Sequence, residues 1–268
     1  MKVDLSMDPE RVAGELEEFI RARVARARAE GVVVGLSGGV DSTAVTYLAV
    51  RALGPKQVWP FILPYRTSRR DSQRDAELVA KRLRLEPIVV DVSPQVEAYF
   101  EAIGEVTALR IGNKVARERM SILYDQAKAR RALVLGTGNR TERLLGYTTL
   151  WGDMACDLAP LGGLFKTQVR QLAEALGAPR QIIAKAPTAD LWPGQTDEGE
   201  IGVSYQTADE ILYLVVDRRL TERQLQAQGY EKADIRRVRH LMRAGAHKRC
   251  LPPSPPPPKR DRKRPRQT

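Results

Sequence analysis

The sequence predicts an α/β fold, a parallel sheet of about five strands with helices on both faces and extra helices at the C-terminal end. Three observations carry that prediction. Short apolar runs recur at residues 32–36, 58–63, 87–91 and 132–136, each bounded by turn-forming residues. Between them lie amphipathic stretches long enough for helices, and strands that alternate with helices at this pace build parallel sheets. The first run, Val32-Val33-Val34, is apolar at every position instead of every second one, as suits a strand buried on both faces.

Taken in order, Asp8 followed by Pro9 forms a helix start, with an N-cap acceptor and a proline at the first helical position. Val12, Leu16, Phe19, Ile20 and Val24 then recur at helical spacing and mark one apolar stripe on a charged helix. The first strand turns at Ser37-Gly38-Gly39, and residues 42–53 carry helical periodicity. A second strand at 58–63, a charged amphipathic helix at 71–83, a third strand at 87–91, a helix at 113–130 and a fourth strand at 132–136 follow. A helix at 166–176 is stopped by Gly177 and Pro179. Residues 185–206 mix Pro, Gly, Thr and acidic residues and read as a long loop, a feature that in compact domains commonly serves as a lid. Helices at 207–216 and 235–244 close a single domain of residues 1–250. Residues 251–268, proline repeats mixed with Lys and Arg, are expected to be a disordered tail.

Composition excludes several classes. The 268 residues are 43% hydrophobic, with no apolar run near membrane-spanning length and no secretory leader, so a cytoplasmic protein without a membrane anchor is expected. Cys156 and Cys250 lack metal-ligand spacing, and His240 and His247 are too few for a multi-histidine metal centre. The net charge of +11 raises the question of nucleic acid. Residues 248–268 hold eight Lys or Arg and one Asp, a net +7, which leaves +4 for the rest. Nucleic acid is therefore not expected as a partner beyond nonspecific contact by the tail.

The chemistry begins at Gly35-Leu36-Ser37-Gly38-Gly39-Val40-Asp41-Ser42. A glycine-rich turn between a buried strand and a helix points backbone N–H groups into one concavity, where the helix N-terminus adds its partial positive charge. Such a place suits phosphate. The adjacent Asp41 carboxylate would repel phosphate unless a divalent cation lay between them. Gly136-Thr137-Gly138-Asn139-Arg140-Thr141-Glu142, at the carboxyl end of the fourth strand, repeats that logic with a hydroxyl and a second carboxylate. Ligands of open parallel sheets bind beyond those strand ends, and Asp41 with Glu142 could share a magnesium that bridges phosphates.

Six segments in one order make the reading sharper: residues 37–42, 112–120, 136–139, 146–153, 185–191 and 195–198. Together they resemble the NAD synthetase family, over roughly residues 10–250, and the first resembles the SGGxDS pyrophosphate loop of the wider ATP pyrophosphatases. The resemblance implies a Rossmann-like, adenine-nucleotide α-hydrolase-like fold. It implies an enzyme that amidates deamido-NAD to NAD with ATP as co-substrate, magnesium and ammonia, acting as a homodimer. By the same resemblance, Gly35, Leu36, Ser37, Gly38, Gly39, Val40, Asp41, Ser42, Thr137, Lys166 and Thr188 contact ATP. Asp41 and Glu142 hold magnesium, Lys166 and Asp41 are catalytic, and Arg117, Asp157, His247 and Lys248 bind deamido-NAD. Leu150 stands where many ammonia-dependent members carry lysine. Glutamine-dependent relatives carry an amidase domain with a Cys nucleophile ahead of the phosphate loop; only 36 residues precede Ser37, none of them Cys. Free ammonia is the expected nitrogen donor, with a separate glutaminase subunit as the alternative source. The alternatives within the superfamily are a tRNA-modifying ATP pyrophosphatase and a GMP synthetase, and both leave the segments at 136–139 and 195–198 unexplained.

Overall fold

A computed structural model describes residues 3–104, 107–188, 190 and 194–255. Helix α1 (Pro9–Ala27) starts as expected, with the Asp8 carboxylate accepting the Arg11 N–H. Strand β1 (Val32–Gly35) leads to α2 (Val40–Leu53), β2 (Val58–Ile62), α3 (Arg70–Arg82) and β3 (Ile88–Val89). Then come α4 (Ser93–Ile103), α5 (Ala108–Ala129), β4 (Leu133–Leu135), α6 (Arg140–Leu145), α7 (Lys166–Ala175) and α8 (Arg180–Ala184). The chain continues through α9 (Asp197–Ile201), α10 (Tyr205–Val216), α11 (Glu222–Ala227) and α12 (Lys232–Ala244).

The four strands are parallel in the order β3-β2-β1-β4. The fifth strand position is reduced to a single parallel bridge between Leu135 and Leu158. It cannot lengthen because Pro160 follows within two residues and opens a 3-10 turn. β1 divides its side chains as a central strand must. Val32 and Val34 pack into a core with α1, α2, α3 and α7, while Val33 enters a second core with Phe61, Val96, Val115 and Val134 on the α4–α5 face. A third core joins the C-terminal helices to α6 and the start of α7, with Leu145, Phe165, Ile201, Tyr205, Ile211, Ile235 and Val238 fully or almost fully buried.

The helix at 42–53 begins two residues earlier than expected, so Asp41 lies inside the first turn of α2. The stretch 185–206 is not all loop: α9 interrupts it, with the Thr196 hydroxyl as N-cap acceptor for the Gly199 N–H. Residues 251–255 are exposed and without regular structure, and the rest of the tail, 256–268, lies outside the described residues. Among the described residues no helix is long and apolar enough to cross a membrane.

Candidate active site

The loop after β1 is knitted by two hydroxyls. Ser42 Oγ accepts the Ser37 N–H at 3.2 Å, stands 3.0 Å from Ser37 Oγ and donates to the Gly39 carbonyl at 3.1 Å. Gly38 adopts φ 78°, and a Cβ there would stand 2.1 Å from the Ser72 carbonyl of α3. Glycine at this position thus serves both the left-handed turn and the close approach of α3. Gly39 then caps α2 in extended backbone, and the helix N-terminus faces the open side of the sheet.

The loop after β4 supplies the opposing wall. Asn139 and Glu142 form a reciprocal capping box for α6: the Asn139 side chain accepts the Glu142 N–H at 3.0 Å, and Glu142 Oε2 accepts the Asn139 N–H at 3.2 Å. The fully buried Asn139 then reaches across and donates from Nδ2 to Asp41 Oδ1 at 2.9 Å. One capping residue therefore ties the two carboxylate-bearing loops to each other.

Lys166, at the start of α7, closes the arrangement. Its Nζ lies 2.5 Å from Asp41 Oδ2 and 3.2 Å from Glu142 Oε1, and its side chain is 4% exposed. Burial opposes its charge, but Asp41 and then Glu142 outweigh that and hold the ammonium above the ordinary lysine range. Glu142 is pushed up to about 7, chiefly by burial, with Lys166 pulling it down and Asp41 pushing it further up. On the far side of Nζ is the Tyr205 ring, 5.1 Å away to its centroid. The Tyr205 hydroxyl donates to Asp197 Oδ2 at 3.0 Å, and Tyr147 donates to Asp197 Oδ1 at 3.2 Å and to Glu200 Oε2 at 2.8 Å. Burial raises the Asp197 carboxyl above the usual range.

Beside these groups is a cavity of about 360 Å³ lined by Gly35 through Ser42, Thr137, Glu142, Tyr147, Lys166, Thr188 and Asp197, among others. All the residues expected to contact ATP are thus brought together. Arg119, Lys185 and Asp190 line the same cavity without having been singled out in the sequence. Lys185 is held by Asp75 at 2.9 Å, and Asp190 Oδ2 accepts the Arg69 N–H at 2.8 Å. Motif residues of the two loops were legible, and Asn139, Tyr147 and Asp197 fall in segments that carry the resemblance, but the roles of these three and of Tyr205 come from tertiary contacts. The Asn-x-x-Glu capping pattern was the one local signal for Asn139.

The four residues expected at deamido-NAD are elsewhere. Arg117 is exposed on α5 and donates to the Leu150 carbonyl at 3.2 Å. Asp157 is exposed and accepts the Val134 N–H at 2.8 Å, flanking β4. His247 is exposed, its Nδ1 3.0 Å from the Ala244 carbonyl. Lys248 Nζ donates to the Gly146 and Thr148 carbonyls at 2.8 and 2.6 Å. None of the four is in the cavity wall.

Asp41 and Glu142 suit a hard divalent cation. Both are carboxylates, and both reach the same ammonium, so one small cation could be shared between them. Among the described residues no group of three or more His, Cys, Asp or Glu side chains could hold a metal by itself. A pair of carboxylates completed by phosphate oxygens and water is the usual magnesium pattern in nucleotide sites.

A glycine-rich loop at one strand end, a carboxylate-bearing cap at its neighbour and a buried lysine between them define an α/β protein with a pocket suited to a nucleotide at the carboxyl edge of its sheet. The chain belongs to the NAD synthase family, whose profile matches residues 12–252. An NH(3)-dependent NAD(+) synthetase of Trichlorobacter lovleyi is 44% identical over 248 residues, 92% of this chain and 91% of that protein. The enzyme of the same name from Hyperthermus butylicus is 46% identical over 256 residues, 94% and 93% of the two chains. Among solved structures, NMN synthetase from Francisella tularensis superposes with a TM-score of 0.84 at 34% identity, covering 94% of this chain and 100% of that one. NH3-dependent NAD synthetase from Campylobacter jejuni gives 0.80 at 30% identity, covering 93% and 99%.

Proposed function

We propose that this chain is an ammonia-dependent NAD synthetase that converts deamido-NAD to NAD at the expense of ATP. The observation that carries the reading is the convergence of Asp41, Glu142 and Lys166 beside the phosphate loop. Membership of the NAD synthase family and relatives of that name over nearly the full chain support it.

A carboxylate is a poor acyl donor because its leaving group would be an oxide. The reaction therefore proceeds in two displacements. A nicotinate carboxylate oxygen attacks the α-phosphorus of ATP, the bond from that phosphorus to the bridging oxygen breaks, and pyrophosphate leaves. The nitrogen of ammonia then attacks the carbonyl carbon of the mixed anhydride; the carbon–oxygen bond breaks, AMP leaves with the oxygen, and nitrogen sheds a proton. The protein contributes positioning and charge. The N–H groups that follow Ser37 in the loop and at the start of α2 receive phosphate, and Thr137 and Thr188, in the same cavity wall, fix the nucleotide. The Lys166 ammonium stabilises the charge that moves onto the departing oxygens. Magnesium, held by Asp41 and Glu142, would supply neutralisation of the phosphates.

Arg117, Asp157, His247 and Lys248 lie outside the cavity wall; in the proposed enzyme the deamido-NAD site extends over the surface to them and is completed by a second copy of the chain. A homodimer working in the cytoplasm is the form in which we expect the enzyme. The decisive assay supplies ATP, magnesium and deamido-NAD with either ammonia or glutamine, and measures NAD. Formation of NAD with ammonia and not with glutamine is expected; no NAD with either donor overturns the reading. The Francisella neighbour bears the name NMN synthetase, so nicotinate mononucleotide belongs in a parallel arm. Deamido-NAD should have the higher kcat/KM.

A further inference from the structure

The ammonium of Lys166 occupies the oxygens that a divalent cation would need. Nζ contacts Asp41 Oδ2 and Glu142 Oε1, while Asn139 engages Asp41 Oδ1 through Nδ2 and Glu142 Oε2 through its N–H. Every oxygen of the pair has a donor. The lysine side chain is 4% exposed, so if another cation takes the pair the ammonium must turn along the cavity wall that Lys166 helps to line. Its main chain is held as well. The Lys166 N–H donates to Thr141 Oγ1 at 2.9 Å, and the next N–H, of Thr167, donates to Asp209 Oδ2 at 2.9 Å. With the backbone so tied, the side chain is the part left to turn, and beside it stand the Tyr205 ring and, hydrogen-bonded to Tyr205, Asp197, which also lines the cavity.

We propose that Lys166 and the divalent cation are competing occupants of the Asp41–Glu142 pair, and that cation binding turns the ammonium out of the pair toward Tyr205 and Asp197. The proposal rests on the reading of Asp41 and Glu142 as magnesium ligands. Two carboxylates offer two negative charges; an ammonium and a divalent cation together bring three positive ones into a buried space, and like charges that close repel strongly. Tyr205 supplies a ring face for a cation, and Asp197 supplies countercharge. The exchange orders the reaction. The charge that helps pyrophosphate leave is released into the cavity only when the cation that neutralises the phosphates has arrived. Tyr205 and Asp197 are then positioning residues for Lys166.

The test titrates the full chain with manganese alone, without nucleotide, and reads free manganese by electron paramagnetic resonance. Removing a competing buried charge leaves two unpaired carboxylates facing each other, so Lys166→Met should bind manganese roughly ten-fold or more tightly than the unsubstituted protein. Lys166→Arg, which keeps the charge, should bind no more tightly. Unchanged or weaker binding by Lys166→Met overturns the proposal. Should that variant fail to fold, the unsubstituted protein answers by lysine-selective NMR: the Lys166 side-chain signal must move on saturation with magnesium, and a stationary signal overturns the proposal. Asp41→Asn tests the underlying ligand reading separately, because manganese binding that survives it places the cation elsewhere. None of these readouts depends on which acid the enzyme amidates.

Discussion

Gly38 and Asp41 show how much of the site rests on single atoms. At φ 78°, with the Ser72 carbonyl 2.1 Å from where a Cβ would stand, Gly38→Ala meets both a disfavoured conformation and a backbone atom that cannot rotate away. The conformational strain alone is worth about 1–3 kcal/mol, and the clash must push α3 off the loop. We expect a lowered Tm and a KM for ATP raised by more than an order of magnitude, measured by thermal unfolding and steady-state kinetics. Asp41→Ala should behave differently. Lys166 keeps Glu142 as a partner at 3.2 Å, so the fold is retained, yet pyrophosphate release from ATP is abolished. Near-normal pyrophosphate release by that variant would refute the assignment of Asp41 to the metal and the chemistry.

The motif residues were legible because their function is local. A turn that must present N–H groups to phosphate requires glycines and small hydroxyl residues in sequence, and they stand together from Ser37 to Ser42. Asn139, Tyr205 and Asp197 could not be read in that way. Asn139 acts at Asp41, 98 positions away, and Tyr205 acts through the space above Lys166. Nothing adjacent to them in the sequence records those partners.

Among the elements, α9 is the least self-sufficient. Five residues cannot hold a helix by their own hydrogen bonds, and its stability must come from its neighbours. Thr196 caps one end. At the other, Arg237 of α12 donates from Nε to the Ile201 carbonyl at 2.6 Å and from a terminal nitrogen to the Glu200 carbonyl at 2.7 Å. Gly202 leaves room for that guanidinium, since a Cβ there would stand 3.2 Å from Arg237 Nε. α9 in turn carries Asp197 and Glu200 to Tyr147, and Asp197 to Tyr205. Arg237→Met should cost about 1–3 kcal/mol, lower kcat more than it raises the KM for ATP, and be partly restored by Arg237→Lys. Equal losses in the Lys and Met variants would show that the charged bonds to α9 do not matter. The sequence read this stretch as loop because a five-residue helix carries no periodicity to detect. α4 escaped for another reason. Its exposed Tyr99 and Ile103 blur the apolar stripe that identified α1. β1 and β2 were plain, being continuous apolar runs, whereas the fifth strand amounts to one bridge at Leu158.

On the scale of the whole chain, the question is where the folded enzyme ends. The basic tail carries most of the net charge, yet charge says nothing about whether a segment holds the fold together. Hydrogen bonding does. After α12, Gly245 packs against Gly146 so closely that a Cβ on Gly245 would lie 2.6 Å from Gly146 Cα. Lys248 then grips the Gly146 and Thr148 carbonyls on either side of Tyr147, and Arg249 donates to the Leu144 and Met242 carbonyls at 2.8 and 2.7 Å. These bonds fasten the segment that delivers the Tyr147 hydroxyl to Asp197. Cys250 and Leu251 are exposed, and the family match ends at residue 252. Removal of residues 252–268 should therefore leave ammonia-dependent turnover within about two-fold of the full chain and reduce retention on a polyanionic resin, because it takes away six Lys and Arg that give the tail its charge. Removal of residues 246–268 crosses the boundary. It strips the four carbonyls of their donors, leaves Tyr147 untethered, and should lower both Tm and kcat. Equal effects of the two truncations, measured side by side, would place the functional boundary inside the tail and not at Arg249.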